Sequence, residues 1–196
     1  MKKVDSGPIG TLKRIYLKFA VNYRDPQQHW NQRYRLNLKS DLQQELAESE
    51  RHEIAKFDVR IKEVMQAYGC NNILEVGCGR GKHRNLNGWT GLDFSSVALK
   101  QSGLTEYIVA DFTRHIPLPD KSFDCVMCQS VLLHVPPEKI RYAVFEMQRV
   151  ASKLIILAEP QGKGDAKKYS FNHDLKELFK GFMGKTVYLN ELGESV

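Results

Sequence analysis

Hydrophobic and polar residues change their spacing partway along the chain. From residue 72 onward, short apolar runs alternate with stretches of helical spacing. Helices are predicted at 95–102 and 137–150, with a very short one near 81–87 and a last one near 173–182. The predicted strands are Ile73–Val76, Thr90–Phe94, Glu106–Ala110, Phe123–Cys128, Leu154–Ala158 and a final one at 185–190. Near-continuous apolar strands joined by helices predict a doubly wound, mostly parallel α/β sheet of Rossmann-like type.

The first part of the chain has helical spacing only. Residues 9–24 predict an amphipathic helix that ends at Asp25-Pro26. Residues 40–68 predict a second helical region, which Gly69 would stop. We therefore predict an N-terminal helical segment, acting as a lid or accessory element, over residues 1–50. A ligand-binding α/β domain would occupy residues 51–196.

Charge is unevenly distributed. Residues 1–40 hold nine Lys or Arg against two Asp, whereas residues 41–72 hold four against seven acids. The basic excess is thus an N-terminal feature, suited to an acidic substrate, a nucleic acid or a membrane surface. No apolar run approaches the roughly 20 residues of a membrane span. Because no signal-type apolar region follows the N-terminus either, we expect a cytoplasmic protein.

The four cysteines do not predict a disulfide framework or a metal site. Cys125-x-x-Cys128 has the spacing of half a zinc site, but it lies inside a predicted strand. Residues three apart in a strand point to opposite faces, so buried apolar cysteines are the favoured interpretation. No metal is expected.

Glycines cluster directly after the first predicted strand. The segment reads Ile-Leu-Glu-Val-Gly-Cys-Gly-Arg-Gly over residues 73–81, with glycines at 77, 79 and 81. Glycine permits unusual backbone dihedrals and a close approach of the backbone to a ligand. In open α/β sheets, ligands bind at the carboxyl ends of the strands. The turn therefore predicts a ligand site.

Three nucleotide-binding loops are compatible with such a turn, and two of them fail. A phosphate-binding Walker loop needs Gly at 76 and Ser or Thr at 83, where Val76 and His83 stand. The dinucleotide fingerprint needs its third glycine at the position of Lys82. What remains is the pattern Glu-x-Gly-x-Gly-x-Gly.

This pattern resembles motif I of the class I S-adenosylmethionine-dependent methyltransferases. Four further segments resemble that family in order and spacing, and together they extend over roughly residues 55–160: Thr90–Ser95, Ala110–Phe112, Ile116–Asp124 and Gln129–Val135. The resemblance implies a doubly wound fold, S-adenosylmethionine as the cofactor and methyl transfer as the reaction.

The resemblance also implies roles for individual residues. Asp93 would accept hydrogen bonds from both ribose hydroxyls, which suits a carboxylate because it offers acceptors for two hydroxyls. Asp111 would face the adenine amino group, and Glu75 would contribute negative potential for the cationic end of the cofactor. The other predicted cofactor contacts are Gly77, Cys78, Gly79, Gly81, Phe94, Phe112 and Gln129.

Two regions are candidates for contacting the acceptor. His134 ends the segment after the fourth strand and is predicted as a general base on a hydroxyl or amine; a structural hydrogen bond is the alternative. Trp30 and Tyr34 lie in the N-terminal segment, which similar enzymes use as a lid that excludes water. Ordinary packing against the sheet, or contact of the helix at 9–24 with a membrane or partner, also stays open.

The acceptor is predicted to be a small molecule. The Asp/Asn-Pro-Pro-Tyr/Phe segment of many nucleic-acid methyltransferases is absent, because Gln129-Ser130-Val131-Leu132 stands there. The basic N-terminus keeps RNA or another anionic acceptor open. Only 16 positions separate Gly77 from Asp93, a short first crossover for this family. A non-catalytic, cofactor-binding or regulatory subunit is therefore a second alternative, and a homo-oligomer is compatible with the sequence.

Overall fold

The computed structural model describes residues 26–36, 42–159 and 170–190. The chain divides into two compact units, Met1–Lys39 and Ser40–Val196. In the first unit, helix α1 spans Pro26–Leu36. The predicted helix at 9–24 lies outside the described residues. Helix α1 was not predicted; it begins at a proline, whose fixed φ and missing N–H suit the first position of a helix.

The described part of the second unit contains four α-helices and six strands. The helices are α2 (Leu42–Ala67), α3 (Ser96–Gln101), α4 (Pro137–Val150) and the short α5 (Leu175–Leu178). The strands are β1 (Ile73–Val76), β2 (Trp89–Asp93), β3 (Tyr107–Val109), β4 (Phe123–Gln129), β5 (Ala151–Ala158) and β6 (Lys185–Tyr188). Residue 50, where we predicted the domain boundary, lies within α2; the assignment of lid and binding roles to the two parts stays a prediction.

The strands form one sheet in the order β3-β2-β1-β4-β5-β6. Every neighbouring pair is parallel. The predicted doubly wound fold is thus confirmed, with a fully parallel sheet. Strand order reverses between β1 and β4, and the carboxyl ends of parallel strands at such a point form a crevice where ligands bind. Val76 is in register with Leu92 on one side and Cys128 on the other.

Hydrophobic side chains alternate between the two faces of the sheet. One cluster contains the inward face of α4 and the strand residues Leu74, Val76, Val126, Cys128, Ile155 and Leu157. The other contains the inward face of α2 and the strand residues Ile73, Cys125, Met127, Leu154, Ile156 and Ala158. Cys125 and Cys128 therefore point to opposite faces, as predicted, and both are buried.

Two predicted helices differ from the structure. The short helix at 81–87 is wrong: residues 77–88 form successive turns between β1 and β2. Glycines with positive φ at 77, 79, 81 and 88 interrupt helical geometry there. The helix at 173–182 shortens to one turn, because Asp174 caps it and its helical hydrogen bonding ends at Phe179. Within the described ranges, no helix is both long and apolar enough to cross a bilayer.

Candidate active site at the strand ends

The glycine turn after β1 is tied to the neighbouring strand. The amides of Gly77 and Cys78 both donate to the carbonyl oxygen of Leu92, at 2.7 and 3.1 Å. Gly77 has φ of 72°, and a Cβ there would lie 2.5 Å from a methyl of Val131. Residue 77 must therefore be glycine for two reasons: its backbone conformation and its contact with the segment after β4. Gly81 has φ of 69°, and a Cβ there would lie 2.8 Å from a methyl of Leu104.

Asp93, at the end of β2, holds this turn from the other side. Its Oδ2 accepts from the amide of Gly79 at 2.9 Å, and its Oδ1 accepts from the amide of Ser95 at 2.7 Å. Burial raises the pKa of Asp93, and the backbone amides of Ser95, Gly79 and Phe94 act in the opposite direction. A carboxylate has about four acceptor sites, so at least one stays available for a hydroxyl.

Glu75 lies inside β1, on the sheet face that α2 covers. Its Oε2 accepts from the indole N–H of Trp89 at 2.7 Å. Burial raises the pKa of Glu75 to about 7, against the opposing influence of His83 and the Trp89 hydrogen bond. Because burial disfavours its charge, Glu75 supplies less negative potential to the site than a solvent-exposed carboxylate would.

A buried polar chain runs from α2 to the end of β4 on that same face. His83 is fully buried, with its Nδ1 2.6 Å from Asp58 Oδ1 and its Nε2 2.6 Å from Gln129 Oε1. Burial disfavours the cation, but the Asp58 hydrogen bond and the charge of Glu75 outweigh it and raise the pKa of His83. The side chain of Gln129, a predicted cofactor contact, is thus held in place by His83.

The segment after β4 is held by a buried carboxylate at the end of β5. Glu159 accepts hydrogen bonds from the amides of Val131, Leu132 and Leu133 at 2.9, 3.1 and 3.3 Å. These amides begin the short 3₁₀ turn Leu132–His134. Glu159 therefore fixes the turn that carries His134, the predicted general base, which is partly buried.

The remaining cofactor candidates differ in their surroundings. Asp111 is partly exposed, and its Oδ1 accepts from the amide and hydroxyl of Thr113. Phe112 is buried in the hydrophobic cluster on the α4 face, and its contact with the cofactor stays a prediction. Phe94 is partly buried beside Asp93. The Cys78 thiol is buried below the glycine turn, and burial raises its pKa.

Trp30 and Tyr34 lie in the first unit, one turn apart on α1. Their ring centroids are 6.2 Å apart, and the guanidinium of Arg33 lies 5.0 Å from the centroid of the Trp30 ring. Their predicted lid role stays a prediction.

The structure thus brings most of the predicted residues to one edge of the sheet, at the ends of β1, β2 and β4. Asp58, His83 and Glu159 were not predicted as site residues. For two of them the sequence carries a signal: Asp58 stands among the apolar positions Phe57 and Ile61 of α2, and Glu159 directly follows an apolar strand, as Asp93 does.

Comparisons with known proteins agree with this geometry. Residues 74–154 match the family model described as a methyltransferase domain. An uncharacterized protein of Methanocaldococcus jannaschii is 33% identical over 88 residues, which are 43% of this chain and 39% of the relative. The match therefore spans about two fifths of that curated relative.

Solved structures share the fold. A SAM-dependent methyltransferase from Archaeoglobus fulgidus superimposes with a TM-score of 0.54 at 20% identity, over 64% of this chain and 66% of that one. A chain of the complex between the Haloferax volcanii Trm112 methyltransferase activator and a methyltransferase has a TM-score of 0.55 at 15% identity, over 81% of this chain and 76% of that one. Residues 74–154 are thus similar to a methyltransferase domain, and the doubly wound sheet shares the fold of these solved structures.

Proposed function

We propose that this chain is an active methyltransferase, which moves the methyl group of S-adenosylmethionine to an oxygen, nitrogen or carbon atom of a small-molecule acceptor. The observation that carries the proposal is the pairing of Asp93 with the glycine turn, 2.9 Å from carboxylate to Gly79 amide at the point where strand order reverses. Ligands of this fold class bind at that point.

The residues present fit the cofactor. Asp93 has acceptor capacity left for a ribose hydroxyl, and the carbonyl-rich glycine turn carries no side chain at 77, 79 and 81. The Oδ2 of the partly exposed Asp111 pairs with Arg114 Nε at 3.4 Å, and a carboxylate oxygen has a second acceptor position that the adenine amino group could use. When bound, S-adenosylmethionine supplies the activated methyl group; the protein's task is to hold cofactor and acceptor close and aligned.

Asp93→Asn is the direct test of cofactor binding. The amide keeps one acceptor oxygen but places an NH₂ against a backbone N–H or a ribose hydroxyl. We expect affinity for S-adenosylhomocysteine to fall at least about 10-fold, the effect of losing one hydrogen bond to a charged group. Isothermal titration calorimetry measures the change.

Asp124→Asn is the matched control. Asp124 lies at the amino end of β4, where its Oδ2 accepts from the amide of Asn71 at 2.9 Å. This variant should lose some stability and no affinity. Equal affinity in Asp93→Asn and the unmodified protein would remove Asp93 from the cofactor site, and no affinity of the unmodified protein would remove the proposed function.

The acceptor class and the role of His134 are tested together. Tritiated S-adenosylmethionine is incubated with fractionated cell extract, and label is followed into small-molecule, RNA and protein fractions. We expect the label in the small-molecule fraction; nuclease-sensitive label would favour the RNA alternative, and no label in any fraction would favour a non-catalytic subunit.

His134→Ala should cut turnover while leaving S-adenosylhomocysteine affinity unchanged.

A further inference from the structure

Gln129 is held in one orientation by groups that the proposed reaction does not use. Its Oε1 lies 2.6 Å from His83 Nε2, and the other ring nitrogen of His83 lies 2.6 Å from Asp58. Phe57 packs on the imidazole, with ring centroids 5.5 Å apart. The imidazole and the Asp58 carboxylate are almost completely removed from solvent.

The charge of this pair decides which end of Gln129 faces outward. With a proton on both ring nitrogens, His83 donates to Asp58 and to the carbonyl oxygen of Gln129. A neutral imidazole that keeps its Nδ1 proton for Asp58 would offer Gln129 only a lone pair, so the amide would turn over and donate its NH₂ inward. The charged groups around His83 are Asp58 from α2, Glu75 from β1 and Lys82 on the same loop. The two acids favour the doubly protonated form, and the pKa of His83 is raised accordingly.

The outward end of Gln129 is therefore its amide nitrogen. Among the described residues this nitrogen has no hydrogen-bond partner, and it is not one of the buried polar atoms left unsatisfied. Gln129 is the last residue of β4. Its NH₂ thus presents a hydrogen-bond donor at the strand ends, next to the glycine turn.

We propose that Asp58 and His83 are a positioning pair that makes Gln129 a donor to the carboxylate at the amino-acid end of the bound cofactor. This inference rests on the proposed function. Asp93 is on β2 and Asp111 follows β3, so the nucleoside end lies on one side of β1 and the amino-acid end lies toward β4. The sulfonium and amino groups at that end are cations, so a hydrogen-bond donor such as the Gln129 NH₂ would not bind them. The carboxylate is the acceptor that remains there.

Two probes separate the ends of the cofactor. S-adenosylhomocysteine carries the amino-acid end, and 5′-methylthioadenosine has the same nucleoside without it. Asp58→Asn keeps the shape of the buried pair and removes the charge that favours the His83 cation. We expect Asp58→Asn and Gln129→Glu to weaken S-adenosylhomocysteine binding about 10-fold, the size of one hydrogen bond to a charged group, and to leave 5′-methylthioadenosine binding unchanged.

The pH profile is the readout that a merely structural role would not move. In the unmodified protein, S-adenosylhomocysteine affinity should fall as the pH rises and His83 loses its second proton, whereas 5′-methylthioadenosine affinity should stay level. In Asp58→Asn the profile should move to lower pH. Asp124→Asn, the same change at the other end of β4, controls for general destabilisation, and circular dichroism checks that each variant is folded.

The outcomes distinguish the two proposals. If the unmodified protein binds neither nucleoside, the proposed function fails. If it binds both, and Asp58→Asn weakens both equally or neither, the positioning pair is overturned while the proposed function stands. Loss of S-adenosylhomocysteine affinity alone, with the pH profile displaced, supports the pair.

Discussion

Two buried glutamates on opposite sides of the second unit's sheet, Glu146 and Glu75, have opposite kinds of surroundings. On the α4 side, Glu146 accepts from Nε and Nη2 of Arg149, both at 2.8 Å, and from the amide of Ile116 at 2.6 Å. These hydrogen bonds lower the pKa of Glu146 to about 2. On the α2 side, Glu75 has one N–H donor, Trp89, and burial raises its pKa to about 7.

The difference in pKa indicates that Glu146 belongs to a stabilising ion pair, whereas Glu75 belongs to the candidate active site. Arg149 also donates to the carbonyl oxygens of Leu118 and Ile116, so it joins α4 to the loop before β4. Ionisation of Glu146 therefore favours the folded state. Ionisation of Glu75 opposes the folded state, and Glu75 lies near His83, Gln129 and the glycine turn. Perturbed carboxylates of this second kind are typical of functional sites.

Arg149→Met should produce the largest loss of stability. It removes the guanidinium from the Glu146 carboxylate, which is 1% exposed, and leaves His115 Nδ1, 3.0 Å away and on a largely exposed side chain, as its remaining ion-pair partner among the described residues. Breaking such a buried pair costs about 3–5 kcal/mol in the free energy of unfolding. Urea denaturation at pH 7 measures it. Lys56→Met is the matched control, since Lys56 pairs with Glu53 at the same three-residue spacing but is 60% exposed; it should cost less than about 1 kcal/mol.

Acid titration sharpens this result. Because the folded pKa of Glu146 lies below its ordinary value, its contribution is present above about pH 4.5 and lost as the pH falls through about 2. Arg149→Met should remove most of that acid-side loss. Equal stability of the two methionine variants would show that the Glu146 pair is no stronger than a surface pair.

Glu75→Gln should act in the opposite direction, with a smaller effect. The folded pKa of Glu75 is above its ordinary value, so its contribution is present below about pH 4.5 and lost as the pH rises through about 7. The glutamine keeps an acceptor for Trp89 and carries no charge. We expect it to be more stable than the unmodified protein at pH 8, by up to about 3 kcal/mol.

The same variant should show an advantage of less than about 1 kcal/mol at pH 5. Urea denaturation across this range, with Asp124→Asn measured in parallel, isolates the titration of residue 75. If the stability of Glu75→Gln and of the unmodified protein changes equally between pH 5 and pH 8, the buried glutamate does not oppose folding.

The same contrast helps to explain which parts of the fold and of the candidate site could be predicted from the sequence. Strand runs such as Ile73–Val76 and Phe123–Cys128 were predictable because apolar burial on both faces leaves a local pattern. The glycine turn was predictable because its backbone conformation requires a particular residue type. The turns at 77–88 were not, because helical spacing in a short segment does not show where positive φ angles interrupt it.

The buried polar chain was the least predictable part. His83 lies 25 residues after Asp58 and 46 residues before Gln129 in the sequence. The contacts among the three therefore depend on α2 packing over the end of β4. Glu146 and Arg149 are three apart on one helix, where such pairs are neighbours. Local spacing therefore reveals the stabilising pair more readily than the pair that positions a site residue.

The smallest expected effect concerns backbone strain at the two ends of β4. Ser130 follows the strand with φ of 54°, and Lys121 precedes it with φ of 56°. The left-handed conformation costs a non-glycine residue about 1–2 kcal/mol. Glycine removes that cost but adds about 0.5–1 kcal/mol of unfolded-chain entropy. Ser130→Gly and Lys121→Gly should therefore each raise stability by about 0.5–1 kcal/mol, measured by thermal denaturation.

Only one of these substitutions should change binding. Ser130 lies between Gln129, which His83 fixes, and Val131, which contacts Gly77. A glycine there gives both neighbours more freedom, so S-adenosylhomocysteine affinity should fall a few-fold by calorimetry. Lys121 lies at the opposite end of the strand, so Lys121→Gly should leave affinity unchanged. If the two variants gain stability equally and bind equally well, the strained residue after β4 does not maintain the site, and the contrast between the two ends of the strand is one of position only.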